Sequence, residues 1–446
     1  MKNLLIFFLL MGIGSGVSAQ TKQQKLAELI ETYTKLNKFN GSVLISQNGE
    51  ILLNKGYGFS NFKDSARNEP NTIFQIGSVT KQFTAAAILK LQEQNKLNTS
   101  DKISKYFPGF PKGDSITIEN LLTHTSGIFN YTNDPAFMKT EAVKPISEEK
   151  MISLFKDKPL NFSPGTNYSY SNSGYMLLGY IIQKVSGKPY EQALRELIFK
   201  PLNMSSTGFD FTGFKGADKA KGYFVISAKD NIEAPIVDST VSYAAGAIYS
   251  TTGDLYKWHK GLLTNQVIGK ASFDKAATPF KNKYGYGIGI DSTFGKRVIA
   301  HGGGIFGFTS HMARIPEDDV CIVILNNYGN PNLSQITKDA FAILYDQPYE
   351  LPKAKKEIQV NADVLKKYTG TYELSPQFSI TFSLEDGHLF GQPTSQPKVQ
   401  LYAFKEDAFF IKEVDADIEF KKDKEGNFNE IVLIQGGRSQ PGKKIK

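Results

Sequence analysis

Apolar and polar positions follow two rhythms along this chain, and the places where one gives way to the other mark its elements. Leu26–Tyr33 has helical spacing. Gly41-Ser42-Val43-Leu44-Ile45-Ser46 and Ile51-Leu52-Leu53 are β-rich runs separated by Asn48-Gly49, a hairpin signal. From Ser78 to Leu91 the period is helical again, but Phe83, Ala85, Ala86, Ala87, Ile88, Leu89 and Leu91 leave hardly any polar face. A helix apolar nearly all round belongs in the middle of a protein. Further helices are predicted around Ile118–Leu122, Glu148–Phe155, Tyr175–Val185 and Tyr190–Ile198. Strands return at Arg297–Ala300, Gly307–Ile315 and Val320–Leu325, the last two joined by a turn at Pro316-Glu317-Asp318-Asp319. Strands at both ends with helices between them predict an α+β fold: an antiparallel sheet flanked by helices, with an inserted helical region.

Around Tyr349–Glu357 the composition shifts to Pro and Lys, which reads as a linker. Beyond it lie only short strands with turn punctuation, including Gly370–Leu374, Phe378–Leu384, Ala408–Lys412, Ile418–Phe420 and Ile431–Ile434, broken at Asp386-Gly387 and Glu425-Gly426-Asn427. That pattern predicts a small all-β barrel or sandwich. At the other end, Lys2, the run Leu4–Met11 and then Val17-Ser18-Ala19 have the three parts of a secretory signal, and the run is too short to cross a bilayer as a helix. The expected organisation is therefore a signal peptide over 1–19, a mixed domain over 20–348, a linker over 349–360 and a barrel over 361–446. A bacterial periplasmic or secreted location is expected, with no stable membrane insertion once the signal is removed.

Composition narrows the chemistry. With 40% hydrophobic and 12% aromatic residues, the 446-residue chain buries a full core. Its single cysteine, Cys321, excludes an intramolecular disulfide framework and a cysteine-built metal site; in the run Val320–Leu325 it reads as a small buried hydrophobe. The formal charge of +8 invites a nucleic-acid reading, yet only five of the 52 basic residues are Arg, and no recognition or base-stacking motif accompanies the Lys. No nucleic-acid partner, metal or cofactor is expected; the partner is a small-molecule or peptide substrate.

Three short motifs carry the candidate chemistry. Ser78-Val79-Thr80-Lys81 stands at the first turn of the buried helix, so Lys81 lies one turn along on the same face as Ser78. A serine hydroxyl needs an adjacent base to act as a nucleophile, a lysine in a buried helix needs a partner, and the helix N-terminus offers positive potential to an oxyanion. Other Ser/Lys pairs share that spacing, so the setting distinguishes this one. Tyr170-Ser171-Asn172 follows the turn Phe162–Thr166 and precedes an apolar helix. A phenol beside a lysine is expected to have its pKa lowered by the cation and to serve as a base; the bland alternative is a ring packed on the core. His301-Gly302-Gly303-Gly304 is read as ending a strand at Ala300 and opening a turn into Phe306-Gly307-Phe308, with glycines that let the backbone approach a ligand.

In this order, and together with Leu121-Leu122-Thr123-His124-Thr125-Ser126-Gly127, Pro164-Gly165-Thr166, and Ala244-Ala245-Gly246 followed by Ser250 and Asp254, these motifs are similar to those of the serine β-lactamase and penicillin-binding-protein superfamily, in the branch of class C β-lactamases, D-Ala-D-Ala carboxypeptidases, D-aminopeptidases and related esterases. The resemblance runs over roughly Phe39 to Leu344. It implies a β-lactamase/transpeptidase-like fold and an acyl-enzyme formed on Ser78. Lys81 and Tyr170 would share the proton transfers, Asn172 would orient Lys81, and the amides of Ser78 and Gly304, with Gly303 beside them, would form the oxyanion site. His301 would meet a substrate carboxylate or support the tyrosine, and His124 would be structural. The third motif departs from the Lys-Thr-Gly of class C β-lactamases, which removes a fixed cation and ranks peptidase or esterase above β-lactamase. From about Asn361 the chain resembles the lipocalin-like barrels appended to such hydrolases. A non-catalytic penicillin- or muropeptide-binding sensor is the alternative from another class. There is no Gly-x-Ser-x-Gly elbow and no His-Glu-x-x-His, which argues against an unrelated triad hydrolase and against a metallohydrolase.

Overall fold

The structure is a computed structural model describing residues 20–226, 231–329, 333–376, 378–394, 396–412, 416–435 and 438–446. The expected signal segment lies outside the described residues.

Six antiparallel strands form the central sheet: β1 (Gly41–Gln47), β2 (Glu50–Tyr57), β3 (Gly289–Thr293), β4 (Lys296–Ile305), β5 (Phe308–Ile315) and β6 (Val320–Asn326), in the spatial order β2-β1-β6-β5-β4-β3. Asn48 and Gly49 turn the first hairpin with positive φ, as their small or absent side chains allow. The unbroken apolar run of β6 is explained by burial on both faces. Cys321, Val323 and Leu325 point into a large core shared with the helical region, while Val320, Ile322 and Ile324 point into a second core on the opposite face. That second core is closed by the helix that precedes the sheet, α1 (Lys22–Lys35), and the one that follows it, whose Tyr33 and Asp339 share a hydrogen bond.

The first core holds the buried helix α2 (Thr80–Glu93), together with α3 (Ile118–Leu122), α4 (Asn172–Ser186), α5 (Ser239–Gly246) and α6 (Thr252–Leu263); the helix closing the second core is α7 (Leu333–Leu344). Nearly every residue of α2 is buried, as its lack of a polar face predicts. The helix expected over Tyr190–Ile198 is α-helical only to Leu194 and widens to a π turn over Arg195–Phe199. A more consequential correction concerns the third motif. His301–Gly304 do not form a turn: β4 runs on through them to Ile305, paired with Phe308–Met312 of β5, and the chain reverses only at Phe306-Gly307.

After the segment around Tyr349–Glu357, eight antiparallel strands spanning Gly370–Lys444 close into a barrel. Its interior is filled by Tyr368, Tyr372, Phe382, Phe409 and Phe420, all buried and in ring contact, so this barrel has its own packed core.

Candidate active site

Ser78 sits in a single 3-10 turn, Gly77–Val79, that leads directly into α2. Gly77 has φ +50°, and a Cβ there would fall 2.8 Å from the amide nitrogen of Gly304, so the turn and the end of β4 touch backbone to backbone. Gly303 is glycine for a similar reason: a Cβ on it would lie 2.0 Å from the carbonyl oxygen of Ile76. The Ser310 hydroxyl on β5 donates to that same carbonyl at 2.7 Å. Gly303 therefore permits the close approach, and Gly304 lies beside the Ser78 turn facing open space.

Lys81 is fully buried, and its Nζ reaches three groups: Ser78 Oγ at 3.0 Å, Asn172 Oδ1 at 2.8 Å and the carbonyl of Ala245 at 2.8 Å. Asn172 is fixed in this orientation because its Nδ2 donates to Thr132 Oγ1 at 3.1 Å and its own amide donates to Asn130 Oδ1 at 3.0 Å. Among the described residues no carboxylate bonds to Lys81, and burial holds its amine well below the usual lysine range. Asn172 Oδ1 and Ala245 O can only accept, so in the uncharged amine that burial favours each takes one N–H and the lone pair is left for the Ser78 hydroxyl. The Ala245 carbonyl is aimed by a kink in α5, where Tyr243 is held at φ 35°, ψ −131°, a conformation that costs roughly 1–3 kcal/mol in a non-glycine residue.

Tyr170 stands beside Ser78, and its ring lies against Lys81, whose Nζ is 4.8 Å from the ring centroid. Burial raises the phenol well above its ordinary value, and the Ser78 hydroxyl only partly offsets this. The sequence expectation, that a neighbouring cation lowers the tyrosine, is therefore reversed. The lysine is itself desolvated, and burial dominates at both groups.

His301 is buried, with both ring nitrogens engaged: Nδ1 faces the carbonyl of Gly302 at 2.6 Å, and Nε2 faces Tyr284 Oη at 2.8 Å. The carbonyl only accepts, so the proton is on Nδ1 and Nε2 receives the tyrosine hydroxyl. Burial pushes the imidazole down to about 3. A protonated His301 meeting a substrate carboxylate is thus disfavoured here; its ring lies 6.3 Å from that of Tyr170, and the ring of Tyr284 stands edge-on to Tyr170 at 6.4 Å. His124 is buried and packs its ring 4.2 Å from that of Tyr170, while its Nδ1 accepts the amide of Ser171. It anchors the loop that carries the tyrosine.

Sequence reasoning missed Thr132, Asn130 and Tyr284. The first two lie in or beside Tyr131-Thr132-Asn133, which repeats the Tyr-x-Asn pattern of the second motif. Tyr284 had no signal, because its role depends on strand β4 continuing past Ala300.

Comparison with known proteins follows the same lines. The Beta-lactamase family profile matches residues 26–347. The chain belongs to the serine β-lactamase and penicillin-binding-protein superfamily. A second profile, described only as a domain of unknown function (DUF3471), matches residues 354–441 and so falls on the barrel. Penicillin-binding protein 4* of Bacillus subtilis is 27% identical over 94% of this chain and 98% of its own length. Another protein of that bacterium, PbpX, is 34% identical over 73% of this chain and 80% of its own. Among solved structures, the octameric penicillin-binding protein homologue from Pyrococcus abyssi superposes with a TM-score of 0.66 at 26% identity, covering 94% of this chain and 99% of that one. Members of this superfamily are serine hydrolases.

Proposed function

We propose that this superfamily member is an envelope hydrolase that forms an acyl-enzyme on Ser78 and acts on D-amino-acid peptides, amides or esters. One observation carries the reading. Lys81, buried and with no carboxylate bonded to it among the described residues, has its Nζ 3.0 Å from Ser78 Oγ and held by Asn172 and Ala245, and in the uncharged form that burial favours its lone pair is free to take the serine proton. In the reaction this supports, Oγ adds to the carbonyl carbon of the substrate as its proton passes to Lys81 Nζ. The carbonyl oxygen becomes the oxyanion, met by the amides of Ser78 and Gly304. Tyr170, a neutral phenol beside Ser78, relays a proton to the departing nitrogen or oxygen, and water then cleaves the ester on Ser78. The uncharged His301 supports amide and ester substrates over β-lactams, because no fixed cation stands at the third motif to hold a lactam carboxylate. The sequence of residues 1–19 supports export to the periplasm or beyond.

The test is intact-protein mass after incubation with benzylpenicillin and, separately, with a panel of D-amino-acid amides and short esters, with Ser78→Ala as control. Turnover of the amides or esters, lost in Ser78→Ala, is the expected result. Rapid consumption of the drug without that turnover would make the protein a β-lactamase instead. A lasting drug adduct with no turnover of any substrate would make it a sensor.

A further inference from the structure

Away from Ser78, a small cavity lies between α2, α6 and β5, with about 20 Å³ of room for the centre of a water-sized sphere. Most of its wall is aliphatic or aromatic, including Ala85, Leu89 and Ile288, but two strongly polar side chains enter it: Gln82, next in sequence to Lys81, and Arg314. Arg314 is only 2% exposed and Gln82 4%. Their pairing is incomplete in one direction only. Gln82 Oε1 accepts from Arg314 Nη2 at 2.7 Å and from Trp258 Nε1 at 3.3 Å, which fixes the amide orientation. That leaves Gln82 Nε2, Arg314 Nε and Arg314 Nη1 as buried donors with no acceptor among the described residues.

The charge is unmatched as well. Across the β5–β6 pair, Arg314 faces Cys321, whose thiol burial pushes up to about 12, so it stays neutral. Asp319, the nearby acid, is already engaged by His259 and Lys260. The indole N–H of Trp258 is spent on Gln82, and the hydroxyl of Tyr286 donates to Glu119. A guanidinium buried with one neutral acceptor is costly unless something supplies negative charge. A water molecule could meet some of the orphan donors but brings no charge, and among the described side chains every unpartnered polar atom of the wall is a donor. A small monovalent anion can accept from Gln82 Nε2 and from one edge of the guanidinium, needs to donate nothing and supplies the missing charge.

We propose that Arg314 and Gln82 hold a single chloride-sized anion in the interior of the catalytic unit, between its main helix and its sheet. The site is independent of the reaction proposed for Ser78. Crystals of the full chain grown or soaked in bromide test it directly. The expected result is an anomalous bromide peak between Arg314 and the Nε2 of Gln82; ordinary water density there with no anomalous signal would overturn the proposal. In solution, a hundredfold excess of halide over its dissociation constant shifts the unfolding equilibrium about 100-fold toward the folded state. Wild-type protein should therefore melt higher in chloride or bromide than in the bulky anion gluconate at matched ionic strength, and Gln82→Leu, which keeps the arginine, should narrow that gap. Arg314→Met should abolish it and, having no buried charge to neutralise, should lose less stability on transfer to gluconate than the wild type does. Equal halide dependence in wild type and both variants would refute the site.

Discussion

The assignment of the proton acceptor can be tested by replacing Lys81 with methionine, which keeps the length and apolar stem of the side chain while removing the nitrogen. Among the described residues, that nitrogen is the one amine or imidazole within hydrogen-bond distance of Ser78 Oγ. Its removal takes away a positioned base, an effect of roughly 10²–10⁴ in rate, or about 3–5 kcal/mol of barrier. Two acceptors, Asn172 Oδ1 and the Ala245 carbonyl, lose a donor, each at about 1–3 kcal/mol, while the cost of burying an amine disappears. Those terms oppose one another, so the variant should stay folded with a melting temperature near that of the wild type. The assay is the acylation rate with a chromogenic ester as a function of pH. Since burial holds Lys81 well below its usual range, the wild-type rate should rise with pH through that depressed value and be flat above it. A rate that keeps climbing toward the phenol range near ~10, and that survives in Lys81→Met, would identify the Tyr170 phenolate as the base and refute the assignment.

Other outcomes follow from the same geometry. Tyr170→Phe should cost about 10²–10⁴ in turnover, read by the same assay, while leaving the melting temperature within a few degrees. Gly303→Ala forces a methyl to within 2.0 Å of the Ile76 carbonyl and should lose both stability, by about 1–3 kcal/mol, and acylation; Gly304→Ala meets nothing within 4 Å and should fold normally, as calorimetry of the pair would show. His259 is 1% exposed, and burial together with the charge of Arg314 lowers it to about 4 despite its bond to Asp319. Between that value and ~6.5 the unfolded chain binds the proton and the folded one does not, so stability falls as pH drops through this window, by up to about 3 kcal/mol from this residue; melting curves of His259→Gln should be correspondingly flatter there. A chain ending at Ala354 should fold and acylate, because the barrel has a hydrophobic core separate from the two in the catalytic unit; an insoluble product would refute that independence.

What could be read in advance was whatever is written in local pattern. The helix α2 announced itself because its apolar residues occupy every face, and β6 because Val320–Leu325 is an unbroken apolar run. Ser78 and Lys81 were legible because a single helical turn fixes their separation. The ionisation states were not, because they depend on surroundings assembled from distant segments: the lysine is desolvated by α4 and α5, and the tyrosine by His124 and Tyr284. His301–Gly304 misled for a physical reason. Three consecutive glycines have the intrinsic preference of a turn, and only the approach of Ile76 and Gly77 explains why a strand is built of them.

The pairing of β1 with β6 has a consequence for how this protein comes into being. Gly41 lies opposite Asn326, so the strand that completes the centre of the sheet is made some 285 residues after its partner. Until it emerges, β1 and β2 are a lone hairpin, which is marginal in water, and α1 has no second core to join. Such long-range closure makes folding slow and late. Exported as proposed above, the chain would leave the ribosome and reach the translocation channel still pliable, and the nucleophile would be assembled only after the whole catalytic unit has crossed. The connectivity itself would keep the enzyme silent on the side of the membrane where it is synthesised.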